Sequence, residues 1–243
     1  MSHPTDTKPV KPLGGKAYGS IPHLPGSRRG PANHGLSNQQ AALLTVKTRD
    51  KHDTVFVQEK LDGSCVSVAK IGGELFALSR AGYMASTSKY EQHRLFDDWV
   101  SANRSLFASL LEDGERVVGE WLAQAHGTRY VLKHGPFVAF DIMQGSLRYP
   151  YYAVSANLSA HDLPIPKLLH CGSAISIEDV LSRLEPSGHG AVGLAEGAVW
   201  RMERKGSVDF LGKYVRQEKV DGEFLPEKTG GPAVWNWPPS LVS

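Results

Sequence analysis

Two pairs of short apolar segments, each joined by a tight turn that contains glycine, constrain the fold of this chain more than any other feature. The first pair flanks Gly72-Gly73 and the second flanks Lys205-Gly206. Apolar β-rich segments that meet across a short glycine turn are typical of antiparallel hairpins. The segments from Val66 to Leu78 and from Gly197 to Arg216 are therefore predicted to be hairpins.

Helical periodicity is limited to a few segments. From Ser88 to Leu111, apolar residues recur at spacings of three and four, which predicts a long amphipathic helix interrupted near Asn103. A short helix is predicted over residues 177–184, with Ser176 as its N-cap. Residues 39–47 fit either a short helix or a strand.

The first 52 residues differ from the rest of the chain in charge and composition. They carry eight Lys or Arg against two Asp, although the net charge of the whole chain is only +2. Their first 30 or so residues are rich in Pro, Gly and Lys, so irregular chain laid on a surface, or partly disordered chain, is expected there. Such a basic segment suits phosphate groups, and a solvated basic tail is the alternative.

Three features bear on the compartment in which the protein works. The N-terminal sequence has no apolar stretch behind its charged residues, so no secretory signal is predicted. No run of 18 or more apolar residues indicates a membrane span. Cys65 and Cys171 belong to no CxxC or Cys/His cluster, so free thiols are expected rather than a disulfide or a zinc site. We expect a cytoplasmic monomer that does not bind membranes.

Lys60 lies where an apolar strand is predicted to end and an Asp62-Gly63 turn to begin. An ammonium group at the end of a buried strand costs free energy unless it is paired or loses its proton. At a pKa of about 10.4, only roughly one lysine in two or three thousand is neutral at pH 7. A nucleophilic lysine therefore needs neighbouring cations, desolvation or a bound metal. The alternative is a structural lysine before a turn, with Glu59 in solvent and Asp62 capping the turn.

Lys60 opens a series of five motifs that occur in a known order. Lys60-Leu61-Asp62-Gly63 resembles motif I, KxDG, of the covalent nucleotidyltransferases, the superfamily of ATP-dependent DNA and RNA ligases and mRNA capping enzymes. The other matches are Gly119-Glu120-Trp121 to motif III, Phe140-Asp141-Ile142 to motif IIIa, Glu196-Gly197-Ala198-Val199 to motif IV, and residues 210–216 to motif V. Over residues 55–220 the chain most resembles the RNA ligases.

The resemblance implies an α+β nucleotidyltransferase (adenylation) domain of antiparallel β-sheets flanked by helices, with ATP in the cleft between the sheets. We assign residues 53–225 to this domain, residues 1–52 to a basic segment that packs on it or extends it, and residues 226–243 to a C-terminal tail. Fewer than thirty residues follow Arg216, so no C-terminal OB-fold is expected, which favours a minimal RNA ligase. Trp235 and Trp237 of the tail are expected to pack against the domain rather than to stack on bases.

The resemblance also implies how the chain binds ATP. Lys60 would carry AMP covalently, and Glu196 would hold Mg²⁺, or Mn²⁺, near the α-phosphate. Phe140 would stack on the adenine and Glu120 would accept hydrogen bonds from the ribose hydroxyls. The alternative interpretations are core packing for Phe140 and buried ion pairs for the two glutamates.

Three further residues complete the predicted nucleotide site. Gln58, two residues before the lysine, would bind the adenine amine. Arg80 fits the arginine that RNA ligases carry in the second strand of the hairpin, some twenty residues after the lysine. Lys213 would bind the triphosphate.

The chain departs from the family pattern in two places. Motif V commonly has two lysines separated by one residue, whereas here Arg216 is the nearest second cation after Lys213, and we assign it that role. Cys65 stands where related enzymes usually have Arg or Asn, and it is expected to turn into the core. Arg80, or Arg28 and Arg29 of the basic segment, would compensate for it.

These assignments imply a reaction. The chain would join RNA ends that carry a 5′-phosphate and a 3′-hydroxyl, through a lysyl-AMP intermediate and an adenylated 5′ end, with Arg28 and Arg29 contacting the nucleic acid. Sealing of nicks in DNA is an alternative, and so is transfer of AMP to another acceptor. A third alternative is a module that binds nucleic-acid ends without catalysis.

Overall fold

The computed structural model describes residues 10–31 and 33–241, and two antiparallel β-sheets form its frame. Helices cover the sheets, so the predicted α+β class is confirmed. The helices are α1 (Asn38–Thr45), α2 (Glu91–Ala102), α3 (Arg104–Leu110), α4 (Tyr151–Ala160), α5 (Ile177–Leu184) and α6 (Pro226–Thr229). The strands are β1 (Asp53–Lys60), β2 (Ser64–Ile71), β3 (Glu74–Ser79), β4 (Glu115–Trp121), β5 (Arg129–Tyr130), β6 (Phe137–Gln144), β7 (Leu147–Arg148), β8 (Leu168–Gly172), β9 (Ala191–Val192), β10 (Gly197–Arg204) and β11 (Ser207–Val215).

Sheet 1 has the strand order β11-β10-β1-β8, and sheet 2 has the order β3-β2-β4-β6-β7. Strands β5 and β9 form a separate pair. Each sheet contains one of the predicted hairpins. The β2–β3 turn at Gly72-Gly73 has φ values of 59° and 80°, and the β10–β11 turn at Lys205-Gly206 has values of 51° and 76°. Positive φ at two central residues suits the twist of antiparallel strands, which explains the glycines.

Each sheet buries one face against helices. The core of sheet 2 is dominated by aromatic side chains, with Phe96 of α2 packed against Trp121 and Phe137 of the strands. The core of sheet 1 is centred on Trp200, which is fully buried near α1 and α5. Burying a large apolar side chain is worth roughly 1.5–3 kcal/mol. Each sheet is therefore held by its own core, and the face of each sheet that points away from that core is left to form a site.

Most predicted helices are present. The segment from Ser88 to Leu111 contains α2 and α3, and Asn103 between them donates its side-chain amide to Trp99 O at 2.8 Å, which ends the first helix. Of residues 39–47, those up to Thr45 are helical, because Ser37 closes a capping box at the start of α1. Ser176 caps α5 as predicted. Helix α4 was not predicted, since its apolar residues form no clear stripe.

The N-terminal segment is irregular as expected, yet it is tied to both sheets. Ala17 N donates to Arg80 O at 3.1 Å beside β3, and Leu24 N donates to Lys213 O at 2.8 Å in β11. Tyr18 and Leu24 are buried. From residue 10 onward this part of the predicted 1–52 segment packs on the domain, and the part before residue 10 lies outside the described residues. The segment forms a wall between the edges of the two sheets.

The C-terminal segment returns to the core of sheet 2. Trp235 and Trp237 are partly buried against that core, as expected. Asn236 between them donates to Leu122 O at 2.8 Å and accepts from Tyr130 N at 2.9 Å. Within residues 10–31 and 33–241, no helix has both the length and the apolar character needed to cross a bilayer.

Candidate functional site

A cavity of about 970 Å³ is lined by residues of both sheets and of the N-terminal segment. Its volume is near the upper end of the range of small-molecule sites. Nine of the ten site residues predicted from the sequence line it, although the sequence separates them widely. These nine are Arg28, Arg29, Gln58, Lys60, Arg80, Glu120, Phe140, Glu196 and Lys213.

Lys60 lies at the end of a strand, as predicted, and forms an ion pair inside this cavity. It is the last residue of β1, and its Cα lies opposite that of Gly197, the first residue of β10. Glu196 is therefore next to it, and Lys60 Nζ donates to Glu196 Oε2 at 2.5 Å and to Leu61 O at 3.2 Å. The antiparallel register of two strands thus brings motifs I and IV together.

The charges around Lys60 keep its amine protonated in this arrangement. Burial lowers the pKa of Lys60, but the carboxylates of Glu196, Glu120 and Asp62 outweigh burial and raise it above the ordinary value. Burial in turn raises the pKa of Glu196 and that of Glu120 to about 7, against the attraction of the lysine. The lowered pKa that a nucleophilic lysine needs is therefore absent in this arrangement of the side chains.

Glu120 and Gly63 connect motifs III and I. Gly63 N donates to Glu120 Oε1 at 3.1 Å. A Cβ atom on Gly63 would lie 2.5 Å from Trp121 O, which is closer than real contacts allow, so the strands meet at a point where only glycine fits. This close approach fixes the Glu120 carboxylate beside the lysine.

Asp62 holds a neighbouring loop rather than capping its own turn. Its Oδ2 accepts from Gly127 N at 3.0 Å and from Thr128 Oγ1 at 2.9 Å. Glu59 is also not in solvent, because it is 2% exposed and accepts from Ser187 Oγ at 2.5 Å and from Gly188 N at 2.8 Å. Both acids of the segment around Lys60 therefore anchor neighbouring loops. The alternative interpretation, with Glu59 in solvent and Asp62 capping its own turn, is therefore wrong for both residues.

Phe140 lies at a β-bulge. Gly119 opposes Ala139 and Val118 opposes Asp141, so Phe140 falls between two paired positions of β4 and β6. A bulge changes the direction of a side chain, and Phe140 lines the cavity with Tyr18 edge-on to its ring, at a centroid distance of 5.4 Å. The partly exposed ring is available to a planar ligand. Its stacking on adenine stays a prediction.

Four cationic side chains line the same cavity as Lys60 and Phe140. Lys213 in β11 has a pKa lowered to about 8, by burial and then by the charge of Lys60. Arg80 follows the last residue of β3 rather than lying within the strand, and its Nη2 donates to Ser20 Oγ at 3.2 Å. Arg28 and Arg29 line the cavity from the N-terminal segment. This cationic rim suits phosphate groups.

Arg216 is the predicted residue that the structure does not bring to the cavity. Its Nη2 lies 3.3 Å from Glu185 Oε1. Its backbone N–H donates to Glu196 O at 3.0 Å, so it supports the metal-binding candidate through the main chain. Its assignment as the second motif V cation is not supported by this geometry, because the side chain is paired elsewhere.

Cys65 is placed differently from the prediction. It is partly buried and lines the cavity beside Phe140 and Tyr18, instead of lying in a main core. Burial raises the pKa of its thiol, so it is a neutral group in the cavity wall. The Arg or Asn expected at this place is thus replaced by a small apolar surface.

Arg201 is a cavity residue that sequence reasoning missed. It donates to Asp141, which is fully buried and also accepts from Arg148 Nε at 3.2 Å and from Tyr18 OH at 2.8 Å. This network joins β10 of sheet 1 to β6 of sheet 2 and to the N-terminal segment. The signal was an arginine inside an otherwise apolar strand.

The residues present fit a divalent cation that is bound together with a substrate. Within the described part of the chain, no three His, Cys, Asp or Glu side chains are grouped as a metal cage. Mg²⁺ is usually held by one or two carboxylates plus phosphate oxygens and water, so a cage is not needed. Glu196 lines the cavity with a largely buried carboxylate, which is a suitable ligand for such an ion.

Comparisons with known proteins find similar structures and one matching family. Three of the solved structures that match are an archaeal ATP-dependent RNA ligase (form 2), a Naegleria gruberi RNA ligase with PPi, and a putative ATP-dependent DNA ligase from Aquifex aeolicus. The archaeal structure is 21% identical with a TM-score of 0.49. The Naegleria structure is 16% identical with a TM-score of 0.49, and the Aquifex structure is 19% identical with a TM-score of 0.44.

The alignments cover 79% of this chain for the archaeal structure, 74% for the Naegleria structure and 67% for the Aquifex structure. They cover 48%, 52% and 43% of the other chains, so this chain spans about half the length of these proteins. No curated protein sequence matches it. The family model described as RNA ligase matches residues 53–215, which is well over half of the chain and contains the five motifs except Arg216, the last residue of motif V. On this match the chain belongs to the RNA ligase family.

Proposed function

We propose that this protein is an ATP-dependent RNA ligase that works through a lysyl-AMP intermediate. The proposal rests on one observation: Lys60, Glu120, Glu196 and Lys213 line the same cavity. The chain that forms this cavity belongs to the RNA ligase family. One amine, two buried carboxylates and a cationic rim are the parts that a displacement at phosphorus requires.

In the first step, the neutral Nζ of Lys60 attacks the α-phosphorus of ATP. An N–P bond forms, the P–O bond to pyrophosphate breaks with its electron pair going to pyrophosphate, and the amine gives up a proton. Lys213 lies near Lys60 and offsets the charge that develops on the leaving group. The product is AMP held on Lys60 as a phosphoramidate.

Lys60 becomes nucleophilic only when it leaves Glu196. The glutamate is the largest attractive charge on the ammonium, whereas burial lowers the pKa of the amine. Once Glu196 is engaged elsewhere, burial and the positive charge of Lys213 favour the neutral amine. Glu196 is the residue that would hold Mg²⁺ or Mn²⁺, and the bound ion supplies positive charge beside the phosphates.

The remaining residues would position the nucleotide. Gln58 lines the cavity and donates to Pro166 O at a long 3.3 Å, so it is available to the adenine. Phe140 would stack on the base, and Glu120 would accept from the ribose hydroxyls. These contacts hold the α-phosphate in line with Lys60, and positioning of this kind is a large share of the catalysis of phosphoryl transfer.

The second and third steps act on RNA. An oxygen of the 5′-phosphate attacks the adenylate, the N–P bond breaks, and Lys60 regains a proton. The 3′-hydroxyl then attacks the 5′-phosphorus, AMP leaves with the electron pair of the broken P–O bond, and the hydroxyl proton is released. Arg80, Arg28 and Arg29 would bind the terminal phosphate at the rim of the cavity.

We assign the nucleotidyltransferase domain to residues 53–225, and we treat residues 1–52 as a basic segment that completes it and residues 226–243 as a tail. The contacts of Ala17 and Leu24 with the two sheets support this role of the segment. We also propose that the enzyme is a cytoplasmic monomer, and the free thiols of Cys65 and Cys171 fit a reducing compartment.

Incubation with ATP labelled at the α-phosphate tests the proposal. In the presence of Mg²⁺ or Mn²⁺, the wild-type protein is expected to acquire a covalent adenylate that is absent from Lys60→Ala and normal in Lys51→Ala, an exposed control. No adenylate on the wild type would show a module that only binds nucleic-acid ends. Competition between 5′-phosphorylated RNA and DNA then identifies the substrate, and sealing of DNA alone would contradict the assignment to RNA.

A further inference from the structure

His23 has a buried nitrogen without a partner at the wall of the cavity. It belongs to the N-terminal segment, outside the residues that match the family model. The residue is 3% exposed and lines the cavity, and its Nε2 has no hydrogen-bond partner among the described residues. Leaving a buried polar atom unpaired typically costs about 1–3 kcal/mol. Such an atom in a ligand cavity points to a ligand.

The backbone places His23 beside Lys213. The two residues form a parallel bridge, in which Lys213 N donates to Pro22 O at 3.0 Å and Leu24 N donates to Lys213 O at 2.8 Å. Directly paired residues of neighbouring strands project to the same side. The imidazole therefore lies on the side from which Lys213 faces the cavity.

Ser27 determines which ring nitrogen of His23 carries the proton. Ser27 Oγ accepts from Val215 N at 2.9 Å and lies 2.7 Å from His23 Nδ1. The other acceptor near the serine hydroxyl is Arg28 O, at a long 3.4 Å. The shorter contact favours donation from the hydroxyl to Nδ1. The ring proton is then on Nε2, which is a donor without an acceptor.

The ring is uncharged at neutral pH. Burial, followed by the positive charges of Lys213, Lys60 and Arg29, lowers the pKa of His23 to about 4. The cations near the ring favour a negatively charged acceptor for this N–H group. A phosphate oxygen is such an acceptor, and its negative charge also balances the cations.

We propose that His23 Nε2 donates a hydrogen bond to a β- or γ-phosphate oxygen of ATP while Lys60 is adenylated, and so stabilises the pyrophosphate that leaves. The inference rests on the proposed function. The inference assigns His23 to the ATP phosphates rather than to the RNA 5′-phosphate. The reason is that His23 is bridged to Lys213, the residue proposed to bind the triphosphate. The N–P bond forms and the P–O bond breaks as described above, and His23 keeps its proton throughout.

The test separates the first step of the reaction from the last. His23→Phe keeps the volume of the ring and removes the donor, His23→Gln restores an N–H group near the position of Nε2, and His34→Ala is an exposed histidine control of the same segment. The rate of adenylation against ATP concentration, the pyrophosphate-driven loss of AMP, the sealing of pre-adenylated RNA and the melting temperature are measured for each.

His23→Phe is expected to lose roughly tenfold to a hundredfold in kcat/KM for adenylation and in the reversal by pyrophosphate, as is usual for one hydrogen bond to a charged group. It should seal pre-adenylated RNA at the wild-type rate. His23→Gln is expected to recover part of the loss, and His34→Ala to behave as wild type.

Three results would overturn the inference. Normal adenylation by His23→Phe removes the donor from the reaction, and an equal loss in the sealing of pre-adenylated RNA shows a structural role or a role at the RNA end. If His23→Gln adenylates no faster than His23→Phe, the lost hydrogen-bond donor is not the cause of the defect, and the role of His23 is structural. If the wild type forms no adenylate, the proposed function fails and this inference fails with it, whereas a normal His23→Phe beside an active wild type removes this inference alone.

Discussion

Lys60 and Glu196 are 136 residues apart in the sequence and are joined by a hydrogen bond of 2.5 Å at the ends of two adjacent antiparallel strands. The pair stabilises the ammonium, which raises the pKa of the lysine above its ordinary value even though the site is buried. This arrangement of the side chains favours the ammonium form of Lys60. Under the proposed mechanism, binding that draws Glu196 away also activates Lys60.

Arg80→Ala is expected to impair RNA sealing more than adenylation. Arg80 lies at the rim, where its guanidinium contacts Ser20, and not beside Lys60 and Glu196. Loss of a charged contact to a terminal phosphate costs roughly tenfold to a hundredfold. Separate assays of lysyl-AMP formation and of sealing measure this, with Arg104→Ala, in an exposed pair with Glu74, as control. An equal loss in both assays would contradict the assignment.

Lys213→Ala and Arg216→Ala are expected to differ sharply. Lys213 faces the cavity, so its removal should reduce kcat/KM for adenylation by at least tenfold. Arg216 pairs with Glu185 at 3.3 Å, and breaking a partly exposed pair costs less than about 1 kcal/mol of stability. Adenylation by Arg216→Ala should stay within about threefold of wild type. A tenfold rise in the KM of Arg216→Ala for ATP would show that Arg216 does contribute to ATP binding.

The sequence predicted those parts of the fold and site that depend on local pattern. The glycine turns of both hairpins, the N-cap Ser176 and the break at Asn103 all come from residues within a few positions of one another, and all are present. The motif residues converge because β1 pairs with β10 and β2 pairs with β4. Helix α4 lacked an amphipathic stripe and was missed for that reason.

Contacts between distant segments were beyond sequence reasoning. The alternative in which Asp62 caps its own turn is wrong, because its carboxylate accepts hydrogen bonds from Gly127 and Thr128 of another loop. Cys65 was expected in the core, yet the pairing of β2 with β4 leaves it in the cavity wall. The N-terminal segment has no periodicity, so nothing in it indicated that it would tie β3 to β11.

Gly63→Ala is expected to destabilise the protein and to stop adenylation. The new methyl group would lie 2.5 Å from Trp121 O, a backbone atom that cannot move without shifting β4 and Glu120. Overpacking of this kind costs roughly 1–3 kcal/mol. Gly135→Ala is the matched control, since no described atom lies within 4 Å of its added Cβ. Urea unfolding and the adenylation assay report both effects, and two equally stable and active variants would contradict the close approach.

Glu120→Gln is expected to stabilise the protein above pH 7 while it weakens ATP use. Burial raises the pKa of Glu120 from 4.5 to about 7, against the attraction of Lys60. Folding therefore takes up a proton between these values. The contribution of Glu120 to stability is fully present below pH 4.5 and is lost as the pH rises through 7. The neutral amide avoids this loss, and it also loses the charge that accepts from ribose hydroxyls.

Urea unfolding without nucleotide or metal measures the effect. At pH 8 the free energy of unfolding of Glu120→Gln should exceed that of wild type by roughly 1–3 kcal/mol, and at pH 4 the two should agree. Glu223→Gln, at an exposed position, should show no difference at either pH. A gain of the same size at both pH values would mean that packing, and not the buried charge, causes it. A loss at pH 8 would mean that the attraction between Glu120 and Lys60 exceeds the cost of burying the carboxylate.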